Sequence, residues 1–234
     1  MHKITSIHQP GYFPWLGYVD KVYKSDIFII LDNVQLNDAA FQNRNIFIDN
    51  QGTSHYLTIP VSKKEYLNKT IKELKLTNIP WQKKHFKFLF FNYKKHPYFD
   101  EVFSKLEFIY NKKYTYLIDV LIDSMDVVFK LFDIKNHILF ASDLNLNNEL
   151  KKEELILGII KSINADIYLS GQGAKSYQKE ENFKKNNIKL TYQQFIHPTY
   201  NQLYTQKFIS GLSSLDLLFN EGIENSKKIL KGIQ

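Results

Sequence analysis

The chain contains no cysteine, which excludes disulfides, a thiolate nucleophile and thiolate-bound zinc. Arginine is nearly absent: Arg44 is the single guanidinium among 31 basic residues, and the rest are lysines. No uninterrupted stretch reaches the roughly 18 apolar residues that a membrane helix needs, so no membrane span is expected. Metal and serine-nucleophile machinery is also missing. There is no Gly-x-Ser-x-Gly elbow and no Asp-x-Asp pair, and His85 and His96 lack the spacing of a helical zinc pair, so no metal is expected. Proline and glycine are scarce, at 6 and 9 of 234 residues, which gives weight to any place where they gather.

What is present is a globular composition. Apolar residues make up 44% and recur along the whole length, which excludes a disordered tail or linker. The length suits one domain over 1–234, within which 81–132 could form a helical subdomain. The start of the chain enters a strand-like pattern at once and lacks the apolar core and cleavage site of a signal peptide, so a cytoplasmic location is expected. The net charge of +7 is lysine spread over helices and loops; abundant Ile, Asn, Lys, Phe and Tyr fit A/T-rich coding. A solvated lysine surface accounts for it, and no nucleic-acid partner is expected. Glu153 and Glu154, on a lysine-rich helix, are expected to be solvated too.

The hydrophobic pattern alternates between the two regular periods. Strands are expected at 3–7, 26–31, 137–141, 166–170 and 188–194, and the second is a continuous apolar run of the kind buried on both faces. Helices are expected at 16–24, with Leu16, Val19, Val22 and Tyr23 on one face, and at 150–163 and 175–186. A last helix starts at Ser213-Ser214-Leu215-Asp216 and is interrupted at Gly222. The fold class is therefore α/β: a mostly parallel sheet flanked by helices, with a β-hairpin insertion around 45–76 and a helical segment around 81–132. Residues 71–76 read as a third strand of that insertion.

Polar residues collect at the carboxyl ends of the expected strands, where open α/β sheets bind ligands: His8 and Gln9, Asp32, Ser142, Ser170-Gly171-Gln172-Gly173, and Gln194. Residues 8–17 hold two of the six prolines, two of the nine glycines and one of the two tryptophans. His8 suits proton transfer near neutral pH; the plainer role is a hydrogen bond to the following turn. Trp15 is either a core anchor or a stacking platform.

Arg44, kept in a chain that otherwise uses lysine, suits a two-pronged grip on phosphate or carboxylate; the plainer role is an ion pair with Asp32. Ser170-Gly171 precedes an expected helix, whose N-terminus would favour an anion, although the match lacks both the dinucleotide-binding and the P-loop spacing. His197 is a second positioned imidazole, able to pair with His8 as acid and base or to bind substrate, or else part of a surface turn.

His8-Gln9-Pro10, Pro14-Trp15-Leu16-Gly17-Tyr18, Asp32-Asn33-Val34-Gln35, Gln42-Asn43-Arg44-Asn45, Tyr168-Leu169-Ser170-Gly171 and His197-Pro198-Thr199-Tyr200 together resemble the WbqC-like family of bacteria. The segment Ser214-Leu215-Asp216-Leu217-Leu218-Phe219-Asn220 with Gly222 is similar to the family's ending, so the resemblance runs from residue 5 to about 223. It implies a link to O-antigen and other surface-polysaccharide gene clusters. The expected function is N-acyl or aminoacyl transfer from a thioester to the amino group of a nucleotide-linked amino sugar. The alternatives are a glycosyltransferase using the same nucleotide-sugar, with Asp32 or Asp38 as base or metal ligand, and a non-catalytic sugar-binding partner.

The expected catalytic residues are His8, His197 and Asp32. The expected substrate-binding residues are Gln9, Tyr12, Trp15, Gln35, Gln42, Asn43, Arg44, Asn45, Ser170, Gly171 and Tyr200. No tightly bound cofactor is expected. The co-substrate would be an acyl thioester of coenzyme A or of a carrier protein, and the lysine-rich surface is compatible with an acidic carrier protein. The segments near residues 8, 44 and 197 are expected to converge on one pocket.

Overall fold

The structure is a computed structural model that describes residues 2–37, 41–66, 68–147 and 149–232. Asp38 lies outside the described residues. In chain order the elements are β1 (Ile4–His8), α1 (Leu16–Tyr23), β2 (Ile27–Ile30), β3 (Arg44–Ile48), β4 (Ser54–Thr58) and α2 (Lys63–Tyr66). They continue with α3 (Trp81–Tyr93), α4 (Phe99–Phe103), α5 (Glu107–Asn111), α6 (Leu117–Leu131) and β5 (His137–Phe140). The last are α7 (Lys152–Ser162), β6 (Ile167–Ser170), α8 (Glu180–Lys185), β7 (Lys189–Tyr192) and α9 (Ser214–Leu230).

The chain forms two compact units that interleave along the sequence. The first comprises Met1–Gln9, Asp20–Asn33 and Asn136–Ile196; the second comprises Pro10–Val19, Val34–Lys135 and His197–Gln234. The first unit is built on a five-stranded sheet in the order β5-β2-β1-β6-β7. Every pairing in it is parallel, with His8 level with Ile30 and Ile30 level with Phe140. Counted within the sheet, this order is 3-2-1-4-5, so the direction of winding reverses between β1 and β6, where such sheets bind ligands. β2 is the buried apolar strand that its sequence predicts: Phe28, Ile29 and Ile30 are at most 2% exposed.

The second unit carries the antiparallel hairpin β3–β4, with Arg44 opposite Thr58 and Ile46 opposite Tyr56. Its helices α3 to α6 fill the segment expected to be helical, and α6 buries Leu117, Val120, Leu121, Val128 and their neighbours. Ser213 caps α9 by accepting from the backbone N–H of Leu215, and Gly222 (φ 73°) breaks the helix beneath the ring of Tyr98, where a Cβ would collide.

Three local expectations are corrected. Residues 71–73 are a 3-10 turn, not a strand: Ile71 and Leu74 are both buried, a spacing of three that one face of a strand cannot supply, and Glu73 accepts from the backbone N–H of Thr70 to fix the turn. Tyr23, expected on the buried face of α1 with Leu16, Val19 and Val22, is 37% exposed. The segment after β6 is a 3-10 turn (Gln172–Ala174), and α8 begins only at Glu180 with two acidic residues in its first turn. The N-terminus that follows Ser170-Gly171 is therefore that of a single 3-10 turn capped by Gly171, not that of an α-helix.

Candidate functional site

His8 is the last residue of β1, beside the reversal in strand order. Its Nδ1 lies 2.9 Å from the carbonyl oxygen of Gln9, which can only accept, so Nδ1 carries the proton and Nε2 the lone pair in the neutral ring. The ring is exposed to solvent yet surrounded by protein. Lost hydration, reinforced by the charge of Lys21, lowers its pKa to about 4. His8 is thus a neutral, correctly tautomerised base at pH 7.

Lys21 was not predicted from the sequence. It lies on α1 at 4% exposure and donates from Nζ to the carbonyl of Ile7 at 2.9 Å, one residue before His8. Burial brings its pKa down to about 8. Among the described residues no carboxylate pairs with it. Its neighbour Asp20 is held by Lys24 at 2.8 Å and by the Gln193 amide at 2.7 Å. In a lysine-rich chain only burial distinguishes Lys21: it lies off the Leu16, Val19 and Val22 face of α1, so the apolar periodicity does not mark it.

The other strand ends of this unit are tied together. Asp32, 1% exposed, accepts from the backbone N–H of Ser142 at 3.0 Å and from its hydroxyl at 2.7 Å, joining the ends of β2 and β5. Both carboxylate oxygens are therefore engaged, which suits a structural clamp better than a catalytic base. Ser170 is fully buried and donates to Gln178 at 2.8 Å. A Cβ on Gly171 or Gly173 would meet nothing within 4 Å, so protein packing does not require either glycine. Next to Asp32, the Oδ1 of Asn33 is buried with no hydrogen-bond partner, an acceptor suited to a ligand N–H or O–H.

In the second unit, strand alternation divides the Gln42-Asn43-Arg44-Asn45 segment. Asn43 and Asn45 point inward: Asn43 donates to the carbonyl of Ile59 at 2.9 Å, and Asn45 to those of Tyr12 and Phe13 at 3.2 and 2.6 Å. The carbonyl of Gln42, itself buried, accepts from the backbone N–H of Tyr12 at 2.8 Å. The Asn45 side chain and the Gln42 main chain hold the 10–15 loop, including Phe13 at φ 39°, against the hairpin, while the Asn43 side chain ties the start of β3 to Ile59. Tyr12 is fully buried, with its hydroxyl 3.1 Å from both His85 Nδ1 and the Tyr110 hydroxyl. Trp15 is 37% exposed, with its indole lying over Gly17 where any Cβ would collide, and Gln35 is exposed and bridged to Thr70.

Arg44 faces the other way. Its guanidinium carbon lies 4.6 Å from the centre of the Tyr56 ring, and its Nε is buried with no hydrogen-bond partner. It forms no ion pair among the described residues. Tyr56 is 51% exposed, and the ring of Phe41, 44% exposed, lies beside it with ring centres 6.1 Å apart. A guanidinium stacked on an exposed aromatic ring, with no ion pair among the described residues, suits an anion attached to a flat group.

His197 repeats the local geometry of His8: Nδ1 lies 2.9 Å from the carbonyl of Pro198, and burial lowers its pKa. Its ring packs on Phe208, as does that of Tyr200. Tyr200 donates to Asp216 Oδ2 at 2.8 Å, with Gln202 Nε2 at 3.1 Å from the same oxygen and the Tyr93 hydroxyl 3.3 Å from Oδ1. Asp216, 1% exposed, has no cation beside it among the described residues. Burial raises its pKa to about 6 against the pull of those three donors. Among the described residues no three His, Asp or Glu side chains are grouped to hold a metal, and no helix is long and apolar enough to cross a membrane.

The WbqC-like protein family model matches residues 9–228. Among curated proteins, the uncharacterized protein Rv1507c of Mycobacterium tuberculosis is 31% identical over 224 residues, which is 95% of each chain. No solved structure matches.

Proposed function

The chain belongs to the WbqC-like protein family, and we propose that it is an enzyme of bacterial surface-polysaccharide biosynthesis that acylates an amino sugar. In this proposal the substrate is a nucleotide-linked amino sugar, and the acyl or aminoacyl group comes from a thioester of coenzyme A or a carrier protein. The observation that carries the proposal is the state of His8: a neutral imidazole, lone pair on Nε2, at the ligand-binding edge of a parallel sheet. Amide formation requires a base but no enzyme nucleophile. The sugar amine, freed of its extra proton, attacks the thioester carbonyl. The ammonium's extra proton goes to solvent beforehand; as the C–N bond forms His8 Nε2 takes a second proton from the nitrogen, and it passes that proton to the sulfur as the tetrahedral oxyanion collapses and the C–S bond breaks, leaving amide and thiol. Arg44, in the second unit, is a separate candidate for gripping phosphate: its Nε has no hydrogen-bond partner among the described residues.

The test is incubation of the purified chain with a panel of nucleotide-linked amino sugars and acyl thioesters, followed by mass spectrometry. The expected product is heavier than the sugar nucleotide by one acyl group, and His8→Ala abolishes its formation. No mass increase across the panel removes the acyl-transfer reading.

A further inference from the structure

A buried charge in a folded protein is ordinarily paired, because a lone ammonium removed from water is costly. Lys21 breaks this rule. Of its three N–H donors, one reaches the Ile7 carbonyl at 2.9 Å, and among the described residues no carboxylate answers the charge. Yet Lys24, three residues on, is paired with Asp20 although its side chain is 45% exposed. The available acid of the neighbourhood has gone to the outer lysine and the inner one has been left with a carbonyl. The place is also particular. Ile7 and His8 end the central strand β1, and the winding of the sheet reverses between β1 and β6. At that edge of a parallel sheet, phosphate groups find their partners.

We infer that Lys21 is a ligand-binding residue whose missing counter-charge is a phosphate oxyanion brought to the carboxyl edge of β1 by the substrate. A compact ammonium with two N–H groups to spare suits a phosphate oxygen, whereas the planar fork of Arg44 suits two-pronged contact. The inference rests on the proposed acyl transfer, which offers two sources of that phosphate: the diphosphate of the nucleotide-sugar, and the phosphates of coenzyme A or a carrier's phosphopantetheine. Lys21 is distinct from the base His8; it holds the substrate and does not take its proton.

The test is titration calorimetry at pH 7 of the whole chain with uridine diphosphate and, separately, with coenzyme A, comparing wild type with Lys21→Met. Met matches the lysine stem and removes the charge, and circular dichroism checks the fold. A loss of about tenfold or more in affinity for uridine diphosphate alone assigns the phosphate to the nucleotide-sugar. The same loss for coenzyme A alone assigns it to the thioester. Unchanged affinity for both overturns the inference.

A second measurement covers the case in which Lys21→Met does not fold. In wild-type protein with isotope-labelled lysine, the side-chain resonance absent from Lys21→Arg shifts when either ligand is added; no shift with either overturns the inference. Loss of phosphate binding in Lys21→Met without any acyl product from wild type leaves Lys21 assigned and removes only the reaction. Acyl transfer with Lys21-independent phosphate binding does the reverse.

Discussion

The Tyr200 hydroxyl donates to Oδ2 of Asp216 across 2.8 Å, and that carboxylate, 1% exposed, collects further hydrogen bonds from Gln202 and Tyr93 but no positive charge. The His197-Pro198-Thr199-Tyr200 segment is thereby fastened to the first turn of α9 through a group that would be more comfortable protonated. The Tyr93 hydroxyl also accepts from the backbone N–H of Ile48, which extends the fastening to the hairpin.

Asp216 makes this unit less stable as pH rises. Its folded-state pKa of about 6 lies above the ordinary 3.8. The favourable contribution of the protonated carboxyl is complete below pH 3.8 and is lost as pH rises through 6. The loss amounts to about 3 kcal/mol over that window. Asp216→Asn is neutral throughout, so urea unfolding at pH 4 and pH 7 should show the difference between wild type and variant moving by that order. An unchanged difference would show that the carboxylate is not desolvated as described.

His85 acts in the opposite direction. It is 1% exposed, accepts from Tyr12 at Nδ1, and is held neutral by burial, with a pKa of about 3 against an ordinary 6.5. The stability it confers is present above pH 6.5 and is lost as pH falls toward 3, at about 2 kcal/mol between pH 6.5 and 5. His85→Gln should flatten this acid limb. Tyr12→Phe should cost about 1–2 kcal/mol through the unsatisfied His85 nitrogen and leave ligand affinity unaltered. A Tyr12→Phe protein that folds normally but no longer binds its ligand would return Tyr12 to the binding set.

His8→Ala should reduce acyl-product turnover by about 10²–10⁴ while preserving affinity for the nucleotide-sugar. Because His8 stays neutral down to about pH 4, this group leaves the wild-type rate flat from pH 7 to well below 6. Lys21→Met should move the acid limb upward, since the Lys21 charge is one of the causes of the low value. An acid limb already near pH 6.5 in wild type would contradict the electrostatics of this strand end.

Arg44→Lys keeps the charge and loses both the fork and the stacking on Tyr56. Nucleoside-diphosphate affinity should fall about tenfold or more, with stability lowered by no more than about 1 kcal/mol, the worth of the lost stacking. Calorimetry and thermal unfolding of one preparation check both. An equal loss in stability would make Arg44 a structural residue.

The sequence by itself determined the α/β class, the strand positions and the special standing of residues 8–17 and Arg44. These are local matters: the period of apolar residues reports which face is buried, and scarce residue types mark positions where a backbone bend or a planar cation is required. It also placed His8 at a strand end, but not its protonation state. Only the tertiary structure decided that Asn43, Asn45 and Tyr12 serve the framework while Arg44, on the same short segment, faces away. The choice depends on which side of a strand meets a loop distant in sequence. It also decided that Asp32 is a clamp to Ser142 and that Lys21 is buried with no carboxylate beside it among the described residues. Hydration and charge pairing belong to neighbours assembled from remote parts of the chain, and no residue's own letter records them.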